Sequence, residues 1–365
     1  KRLKILLQMS LVLTYGLNTS VVRVGRFAGQ YAKPRSSDTE TRNGTTLPSY
    51  RGDIVNSPEF SETARQPDPQ RLVQAYMKSS LTINLVRALT EGGFADLRHP
   101  EYWDLDFMQH SPLADEYHAL VEAIEDSLRF MKAVSGSNLD QVERATFYTS
   151  HEALHLPYEQ GHTRTVPHNP GYYNLGTHFP WIGKRTNHLD GAHVEYMRGI
   201  RNPVAVKVGP DMGATKLKDL IRVLDPTDEP GRLTLITRFG AEAIADRLPG
   251  LIDAVRATGQ TVLWICDPMH GNTEKTDNGT KTRRFGNIKA ELEQALEIHA
   301  AEGSHLGGVH FELTGENVTE CIGGARGLAE ADLERAYKSQ VDPRLNYEQA
   351  LEIAFSIVRK ARSLR

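Results

Sequence analysis

Three side chains in this sequence have the types and positions to hold a divalent metal. His270, Glu312 and Asp342 each lie at or soon after the end of an apolar run or at the start of a helical pattern. One imidazole and two carboxylates form a mixed nitrogen and oxygen ligand set, which suits Mn2+, Co2+ or Zn2+. The residues alone leave an alternative open. In that alternative Asp342 caps a helix ahead of Pro343, while Glu312 pairs with a base and His270 is a hydrogen-bonded core residue.

A second set of side chains is cationic and is typical of phosphate binding. Arginine binds phosphate through paired hydrogen bonds, and lysine acts as a compact point charge. Lys207 lies within the apolar run 204–208, where a lysine is costly unless it has an anionic partner. One such lysine could still be a surface residue, but several cations at one mouth predict phosphorylated substrates. The set comprises Arg26, Lys33, Arg35, Arg185, Lys207, Arg238 and Lys281.

The elements that must position these residues alternate along the chain. Continuous apolar runs are typical of buried parallel strands, and their alternation with helices predicts a parallel sheet. The predicted strands are 21–24, 145–149, 177–182, 204–208, 233–237, 261–265 and 308–312, and helical patterns follow at 241–258, 286–302 and 346–363.

Polar residues cluster just after these strands and favour a closed barrel. The carboxyl ends of barrel strands form the face that carries active sites. An open doubly wound sheet also binds ligands at this edge, but charged residues after nearly every strand converge only if the sheet closes. We therefore predict an α/β fold, a (β/α)8 TIM barrel, with 1–365 as one catalytic domain. Because the predicted strands number seven, we expect the first barrel strand to precede Lys1.

The segment 37–140 interrupts this alternation. It begins as proline-rich loop and continues into two helical patterns, the first at 72–89. We predict a helical insertion at 70–135 after the second strand, with an apolar stripe used for core packing. A subunit contact or an effector pocket is the alternative use. The stripe of the second helix is Tyr117, Leu120, Val121, Ile124, Leu128 and Met131.

Composition excludes several other classes of protein. The chain has 365 residues, 43 Lys+Arg and 46 Asp+Glu, and a formal charge of -3, which gives no sign of a nucleic-acid or membrane partner. Two cysteines in so long a chain argue against a disulfide framework and fit a reducing compartment. The basic and apolar opening at 1–13 imitates a signal peptide, but we interpret it as an amphipathic first helix. It is far shorter than the roughly 20 residues of a membrane span.

Several motifs, taken in order, resemble the class II 3-deoxy-D-arabino-heptulosonate 7-phosphate (DAHP) synthases. The resemblance covers the chain from about residue 5 to its end and is specific because no single motif carries it. It implies the condensation of phosphoenolpyruvate with erythrose 4-phosphate to DAHP and phosphate, a first step of aromatic biosynthesis. The motifs are RFAGQYAKPRS at 26–36, SYRGD at 49–53, TSHE at 149–152, DGAH at 190–193, DPMHGN at 267–272, TGENVTEC at 314–321 and DPRLN at 342–346.

The resemblance also implies roles for individual residues. His270, Glu312 and Asp342 are the implied metal ligands, with Mn2+ or Co2+ expected before Zn2+. Arg185, Lys207 and Arg238 correspond to phosphoenolpyruvate contacts, with Arg26 near them; Lys33, Arg35 and Ser36 match the erythrose 4-phosphate motif, and Trp181 packs beside the site. His151, Glu152 and Lys207 are the acid–base candidates.

The sequence departs from the family pattern at two places. The family's fourth metal ligand is a cysteine in a Gly-Gly-Asp-Cys strand, which we expect before Lys1. Cys266 and Cys321 do not replace it, because each lies in a motif that family members have alongside the ligand cysteine. Lys184 stands where the family usually has a glutamate, next to Arg185.

Related functions remain as alternatives. A sibling enzyme that uses an amino analogue of erythrose 4-phosphate would share nearly all of these motifs. A non-catalytic relative that senses aromatic compounds and an unrelated metal aldolase on the same barrel are further alternatives. We also expect a homo-oligomer, with aromatic amino acids as effectors at the insertion helices. The expected location is the cytoplasm, or a plastid if the source is a plant.

Overall fold

Parallel strands joined edge to edge make the central sheet of this chain. The computed structural model describes residues 1–92, 114–135 and 146–365. The strands in chain order are β1 (Arg23–Gly25), β2 (Thr39–Arg42), β3 (Thr45–Pro48), β4 (Phe147–Glu152), β5 (Thr163–Val166), β6 (Asn169–Asn174), β7 (Phe179–Ile182), β8 (Val204–Val208), β9 (Leu233–Thr237), β10 (Leu263–Cys266), β11 (Thr273–Lys275), β12 (Lys281–Arg283) and β13 (Leu306–Val309).

The order of strands in the sheet follows the order of the chain. Seven strands are hydrogen-bonded in the order β1-β4-β7-β8-β9-β10-β13, and all six pairings are parallel. β8 and β9 are buried at every position, as expected for strands covered on both faces. The prediction of a (β/α)8 TIM-barrel type of fold is confirmed. The strand expected before Lys1 lies outside this sequence and stays a prediction.

Helices cover the outer face of the sheet. They bury apolar sides against the sheet; for example, the helix Ile244–Arg256, which the pattern predicted at 241–258, buries Leu248, Leu251 and Ile252. The helices are α1 (Arg2–Leu17), α2 (Glu62–Arg65), α3 (Gln70–Glu91), α4 (Ala114–Ser135), α5 (Leu156–His162), α6 (Ala192–Gly199), α7 (Ala214–Leu224), α8 (Ile244–Arg256), α9 (Phe285–Ala301) and α10 (Tyr347–Ser363).

Five of the seven predicted strands differ from their observed bounds by a few residues, and β13 differs for a clear reason. The pattern predicts 308–312, but β13 spans Leu306–Val309. Gly307 and Gly308 contribute no apolar side chain, so the hydrophobic pattern does not indicate where this strand begins. Pairing of Leu306 with Trp264 of β10 decides where the strand begins. By contrast, β8 and β9 match their predicted bounds.

The first helix is more deeply buried than an amphipathic helix at a surface would be. α1 packs on α10 and contacts α4, and its polar Gln8 is fully buried. Gln8 donates a hydrogen bond to the hydroxyl of Tyr117 on α4 at 2.7 Å. Two elements therefore cover faces of α1 that the sequence pattern left open.

The predicted insertion corresponds to α3 and α4. Val121 and Ile124 of α4 pack against the main core, together with the buried Tyr117. The side chains of Leu120, Leu128 and Met131 lie outside the described residues. The division into one catalytic domain with an insertion at 70–135 stays a prediction. No helix in the described ranges combines the length and the apolar character needed to cross a membrane.

Candidate active site

The carboxyl ends of β10 and β13 and the approach to α10 bring three potential metal ligands together. His270 opens a short 3-10 helix after β10, Glu312 follows β13, and Asp342 precedes α10. One donor atom from each residue lies within 4.8 Å of the others, and His270 Nε2 is 3.3 Å from Glu312 Oε1. The structure thus collects residues that are separated by tens of positions in sequence.

Neighbouring side chains fix the orientation of His270 and Glu312. The Nδ1 atom of His270 lies 2.7 Å from Oδ2 of Asp267, which leaves Nε2 facing Glu312. The guanidinium of Arg283 lies 2.7 Å from Oε2 of Glu312. Partners of this kind orient metal ligands and set the histidine tautomer.

The electrostatics of the cluster suit a bound cation. Burial by itself would raise the pKa of Glu312, but His270 and Arg283 hold that pKa well below its usual value. Burial and the charge of Glu312 raise the pKa of Asp342. Lys33 lowers it, and the net pKa of Asp342 also lies below its usual value. Both carboxyl groups are therefore ionised, and with one imidazole they fit a divalent metal.

Asp267 connects the histidine to the predicted phosphate-binding lysine. Lys207 lies within β8, is almost completely buried, and forms an ion pair with Asp267. Burial lowers the pKa of Lys207, and Asp267 opposes that shift. Burial alone would raise the pKa of Asp267, but His270 and Lys207 hold it well below its usual value. Asp267 is thus the anionic partner that a buried lysine requires.

Trp181 forms a flat wall beside these groups. The ammonium of Lys207 lies 5.8 Å from the Trp181 ring centroid and the guanidinium of Arg26 lies 5.6 Å from it. Both separations are within the range of cation–π attraction. The rings of Trp181 and His310 are perpendicular, with 5.2 Å between their centroids. The structure therefore brings together Arg26, Lys207 and Trp181, three residues that the sequence analysis expected near one site.

Arg238 joins the same face directly. It follows β9, and one of its terminal nitrogens donates a hydrogen bond to the backbone oxygen of His270 at 3.0 Å. Its Nε atom is buried and has no hydrogen-bond partner within the described parts of the chain. A buried donor of this kind is suited to an anionic ligand.

The turn after β7 carries Lys184 and Arg185. Arg185 is exposed. Lys184 makes an ion pair with Asp211 at 3.1 Å, which the sequence analysis did not anticipate. Glu152, at the end of β4, packs closely against Gly183: a Cβ atom added to Gly183 would lie 2.0 Å from Glu152 Oε1.

The residues matched to the erythrose 4-phosphate motif lie near Asp342 and along an adjoining cleft. Lys33 pairs with Asp342, and Lys281 lies 3.5 Å from the other oxygen of the same carboxylate. Arg35 binds Glu40 at 2.7 Å and lines a cleft of about 690 Å³ that Lys281 also lines. Ser36 follows Arg35 and is exposed.

His151 is placed differently from the other candidates. It is fully buried in β4, and its Nε2 lies 2.7 Å from Oε1 of Glu159. Its ring fills the space beside Gly29, where a Cβ would stand 1.9 Å from Nδ1. Gln30 and Asn174 also donate hydrogen bonds to the Glu159 carboxylate. These contacts tie His151 to a buried network and not to the three potential metal ligands.

Sequence reasoning did not single out Asp267, Arg283 or Glu159 as functional. Asp267 had a usable signal, since a carboxylate directly after the apolar run 263–266 is expected to need a partner if it is buried. Arg283 had no such signal, because the sequence shows two adjacent arginines and only the fold buries one of them. Arg283 is completely buried, whereas its neighbour Arg284 is about half exposed.

Comparison with known proteins identifies the family. The model of the class-II DAHP synthetase family matches residues 1–358. The chain is 49% identical over 356 residues to a phospho-2-dehydro-3-deoxyheptonate aldolase of Streptomyces coelicolor, covering 98% of this chain and 79% of that protein. It is 48% identical over 372 residues to the Neurospora crassa protein of the same name, covering 98% and 77%. The chain therefore belongs to the class-II DAHP synthetase family.

Proposed function

We propose that the cluster around His270 is the site at which this chain, a class-II DAHP synthase, condenses phosphoenolpyruvate with erythrose 4-phosphate. The products are DAHP and inorganic phosphate, and the reaction is the first step of the shikimate pathway. One observation carries the proposal. Donor atoms of His270, Glu312 and Asp342 lie within 4.8 Å of one another, beside the buried cation Lys207 and the buried Nε donor of Arg238, which has no partner among the described residues.

We assign the divalent metal on which the family depends to His270, Glu312 and Asp342. The two ionised carboxylates and the imidazole favour Mn2+ or Co2+, with Zn2+ as a further candidate. When bound, such a metal supplies a Lewis acid for the aldehyde carbonyl of erythrose 4-phosphate. The chain's own task is to hold the ligands in place, which Asp267 does for His270 and Arg283 does for Glu312.

Phosphoenolpyruvate is assigned to the cationic side of the site. Lys207 and Arg238 approach the same histidine from two directions, through Asp267 and through the backbone oxygen. Their charges, with Arg26 and Arg185, would bind the phosphate and carboxylate. This grip orients C3 toward the aldehyde carbon and stabilises the charge that develops on the departing phosphate after water adds at C2.

Erythrose 4-phosphate is assigned to the side occupied by Lys33, Arg35, Ser36 and Lys281. Lys33 and Lys281 both reach Asp342, so a phosphate bound by them would lie next to the proposed metal. The cleft between Arg35 and Lys281 has room for the sugar phosphate. Together, the two cationic groups would present the substrates to each other across the metal ligands.

Three residues remain proposed for proton transfer. Lys207 is the best placed, since its ammonium contacts Asp267 and faces Trp181. Glu152 lies beside the turn that carries Arg185. His151 is the third candidate, and its Nε2 lies 2.7 Å from the Glu159 carboxylate.

The proposal extends to assembly, regulation and location. The exposed face of α3 includes Met77 and Leu81, which are 62% and 71% exposed. Apolar side chains left open in this way support a contact with another copy or an aromatic effector at α3 and α4. The cytoplasm, or a plastid in a plant, is the location in which the reaction is expected.

A single substitution tests the site assignment. Phosphoenolpyruvate consumption and phosphate release would be followed together for the Mn2+-loaded protein and for His270→Ala. We expect the variant to lose on the order of a hundredfold or more in kcat/KM, since even partners of metal ligands cost up to about that much, and to lose stoichiometric Mn2+. His305→Ala, an exposed histidine, is the matched control. Full activity and metal content in His270→Ala would refute the assignment.

A further inference from the structure

The loops that follow β9 and β10 touch each other along their backbones. Arg238 stands at the start of the first loop and His270 in the second, and they share a hydrogen bond of 3.0 Å through the His270 carbonyl. A Cβ added to Gly271 would lie 2.2 Å from the nitrogen of Gly240, and Gly240 has a φ of +91°. Residues 238–241 and 268–272, here called the paired loops, are therefore packed as one body.

A buried carboxylate from a helix behind the sheet bonds both members of the paired loops. Glu291 of α9 is completely buried. Its Oε1 accepts hydrogen bonds from the backbone nitrogens of Phe239 at 2.8 Å and Gly240 at 2.9 Å. Its Oε2 accepts one from Nδ2 of Asn272 at 2.7 Å. One side chain thus bridges the loop of Arg238 and the loop of His270.

Asn272 completes the link between the loops. While its amide nitrogen bonds Glu291, its Oδ1 accepts a hydrogen bond from the backbone nitrogen of Ala241 at 3.0 Å. The amide nitrogen also reaches the carbonyl of Pro268 at 2.8 Å. Asn272 is thereby fixed in one orientation, with its donors toward Glu291. The amide cannot be turned over without losing the bond to Ala241.

We infer that Glu291 is a positioning residue that holds Arg238 and His270 in register, and so couples phosphoenolpyruvate binding to metal binding. The inference rests on the proposed function, because it takes Arg238 as a substrate contact and His270 as a metal ligand. Glu291 touches neither group directly. It acts on both through the paired loops.

The choice of a carboxylate at this position supports the inference. All three groups that face Glu291 are N–H donors, and only a carboxylate offers acceptors on both ends. Burial raises the pKa of Glu291 to about 7, and Asp267 adds to that shift. The hydrogen bonds from Gly240, Phe239 and Asn272 oppose that shift, so the groups that stabilise the charged form of Glu291 belong to the paired loops.

The substitution Glu291→Gln tests this role at nearly constant volume. The new amide nitrogen would face the amide nitrogen of Asn272, so a donor meets a donor and the bridge opens. We expect the Kd for Mn2+, titrated calorimetrically into the full chain without substrate, to rise about tenfold, as for other partners of metal ligands. The KM for phosphoenolpyruvate should rise by about the same factor, and the KM for erythrose 4-phosphate should change less than about twofold.

Glu293→Gln, the same substitution on the solvent side of α9, is the matched control and should behave as the original protein. A Glu291→Gln protein with a lower Tm but unchanged Mn2+ affinity and phosphoenolpyruvate KM would overturn the inference, and so would an equal rise in both KM values. Should Glu291→Gln fail to fold, Asn272→Ala opens the same bridge from the other side, and unchanged constants there would also overturn it. If the original protein and Glu293→Gln neither bind Mn2+ nor consume phosphoenolpyruvate, the proposed function fails instead.

Discussion

At the scale of single residues, the site depends on charges that are paired inside the protein. Arg283 illustrates this most clearly, since it is completely buried and lies 2.7 Å from Glu312. It also donates to the carbonyl of Pro343 and to the hydroxyl of Thr273 at 2.9 Å. The cation therefore compensates one proposed metal ligand and ties the segment before α10 to the hairpin of β11 and β12.

Removal of this cation should destabilise the metal-free protein. Arg283→Met takes from Glu312 the partner that lies 2.7 Å away, while His270 remains. Breaking a fully buried pair costs about 3–5 kcal/mol, which is the upper bound for the expected loss. Urea unfolding would measure the loss, and saturating Mn2+ should restore part of it because a bound cation replaces the missing charge.

The adjacent arginine provides the control for that substitution. Arg284 is about half exposed and pairs with Glu274 at 2.8 Å, so Arg284→Met should cost less than about 1 kcal/mol. Equal losses in the two variants, or a loss in Arg283→Met that Mn2+ leaves untouched, would contradict the role given to Arg283.

At the scale of elements, α9 links the site to the sheet through a second buried group. The ring of His299 packs on Trp264 of β10 with 5.6 Å between centroids. Its Nδ1 lies 3.0 Å from the hydroxyl of Ser304. Burial lowers the pKa of His299 to about 4, so this histidine is neutral in the folded protein at neutral pH.

The packing of α9 on β10 should therefore weaken in acid. The folded pKa lies below the unfolded value of 6.5, so the contribution is present above pH 6.5 and is lost as the pH falls from 6.5 to about 4. Over this pH range the shift lowers the free energy of unfolding by up to about 3 kcal/mol. Chemical denaturation between pH 7 and pH 4 should show that the free energy of unfolding falls with pH, and this slope should be smaller in His299→Gln. His188→Gln, at an exposed histidine, should keep the full slope; an unchanged slope in His299→Gln would remove the explanation.

At the scale of the whole molecule, the first and last helices pack together and join the two ends of the chain. Gly16 of α1 faces Val358 of α10, and a Cβ at Gly16 would lie 2.4 Å from a Val358 methyl carbon. Arg362 donates to the carbonyl of Gly16 at 2.7 Å, and Tyr347 donates to Gln8. This contact lets the outer layer of helices continue from α10 to α1.

A methyl group at this contact should destabilise the fold. Gly16→Ala overpacks a closed helix–helix contact, for which about 1–3 kcal/mol is typical, despite the better helix propensity of alanine. Gly286→Ala in α9 meets open space and should gain up to about 1 kcal/mol. Opposite signs in the two unfolding free energies are the expected result, and a stabilised Gly16→Ala would show that α1 and α10 do not pack closely in solution.

The sequence by itself determined the fold class and singled out His270, Glu312 and Asp342, whose donor atoms lie close together in the structure. Local patterns suffice for this, because a buried parallel strand such as β8 shows a continuous apolar run and a lysine within it, Lys207, demands an anion. The motif resemblance then assigned the family, which the comparisons confirm. The predicted bounds of β13 were displaced because its glycines contribute nothing to the hydrophobic pattern.

Only the tertiary structure decided which partner each charge has. Arg283 and Arg284 are indistinguishable in the sequence, yet one is buried against Glu312 and the other lies at the surface. In the sequence Glu291 is indistinguishable from other helix glutamates, but in the fold it accepts hydrogen bonds from the loop of Arg238 and from the loop of His270. Hydrogen bonds and ion pairs act over a few ångströms between residues that are tens of positions apart, and the chain must fold before those distances exist.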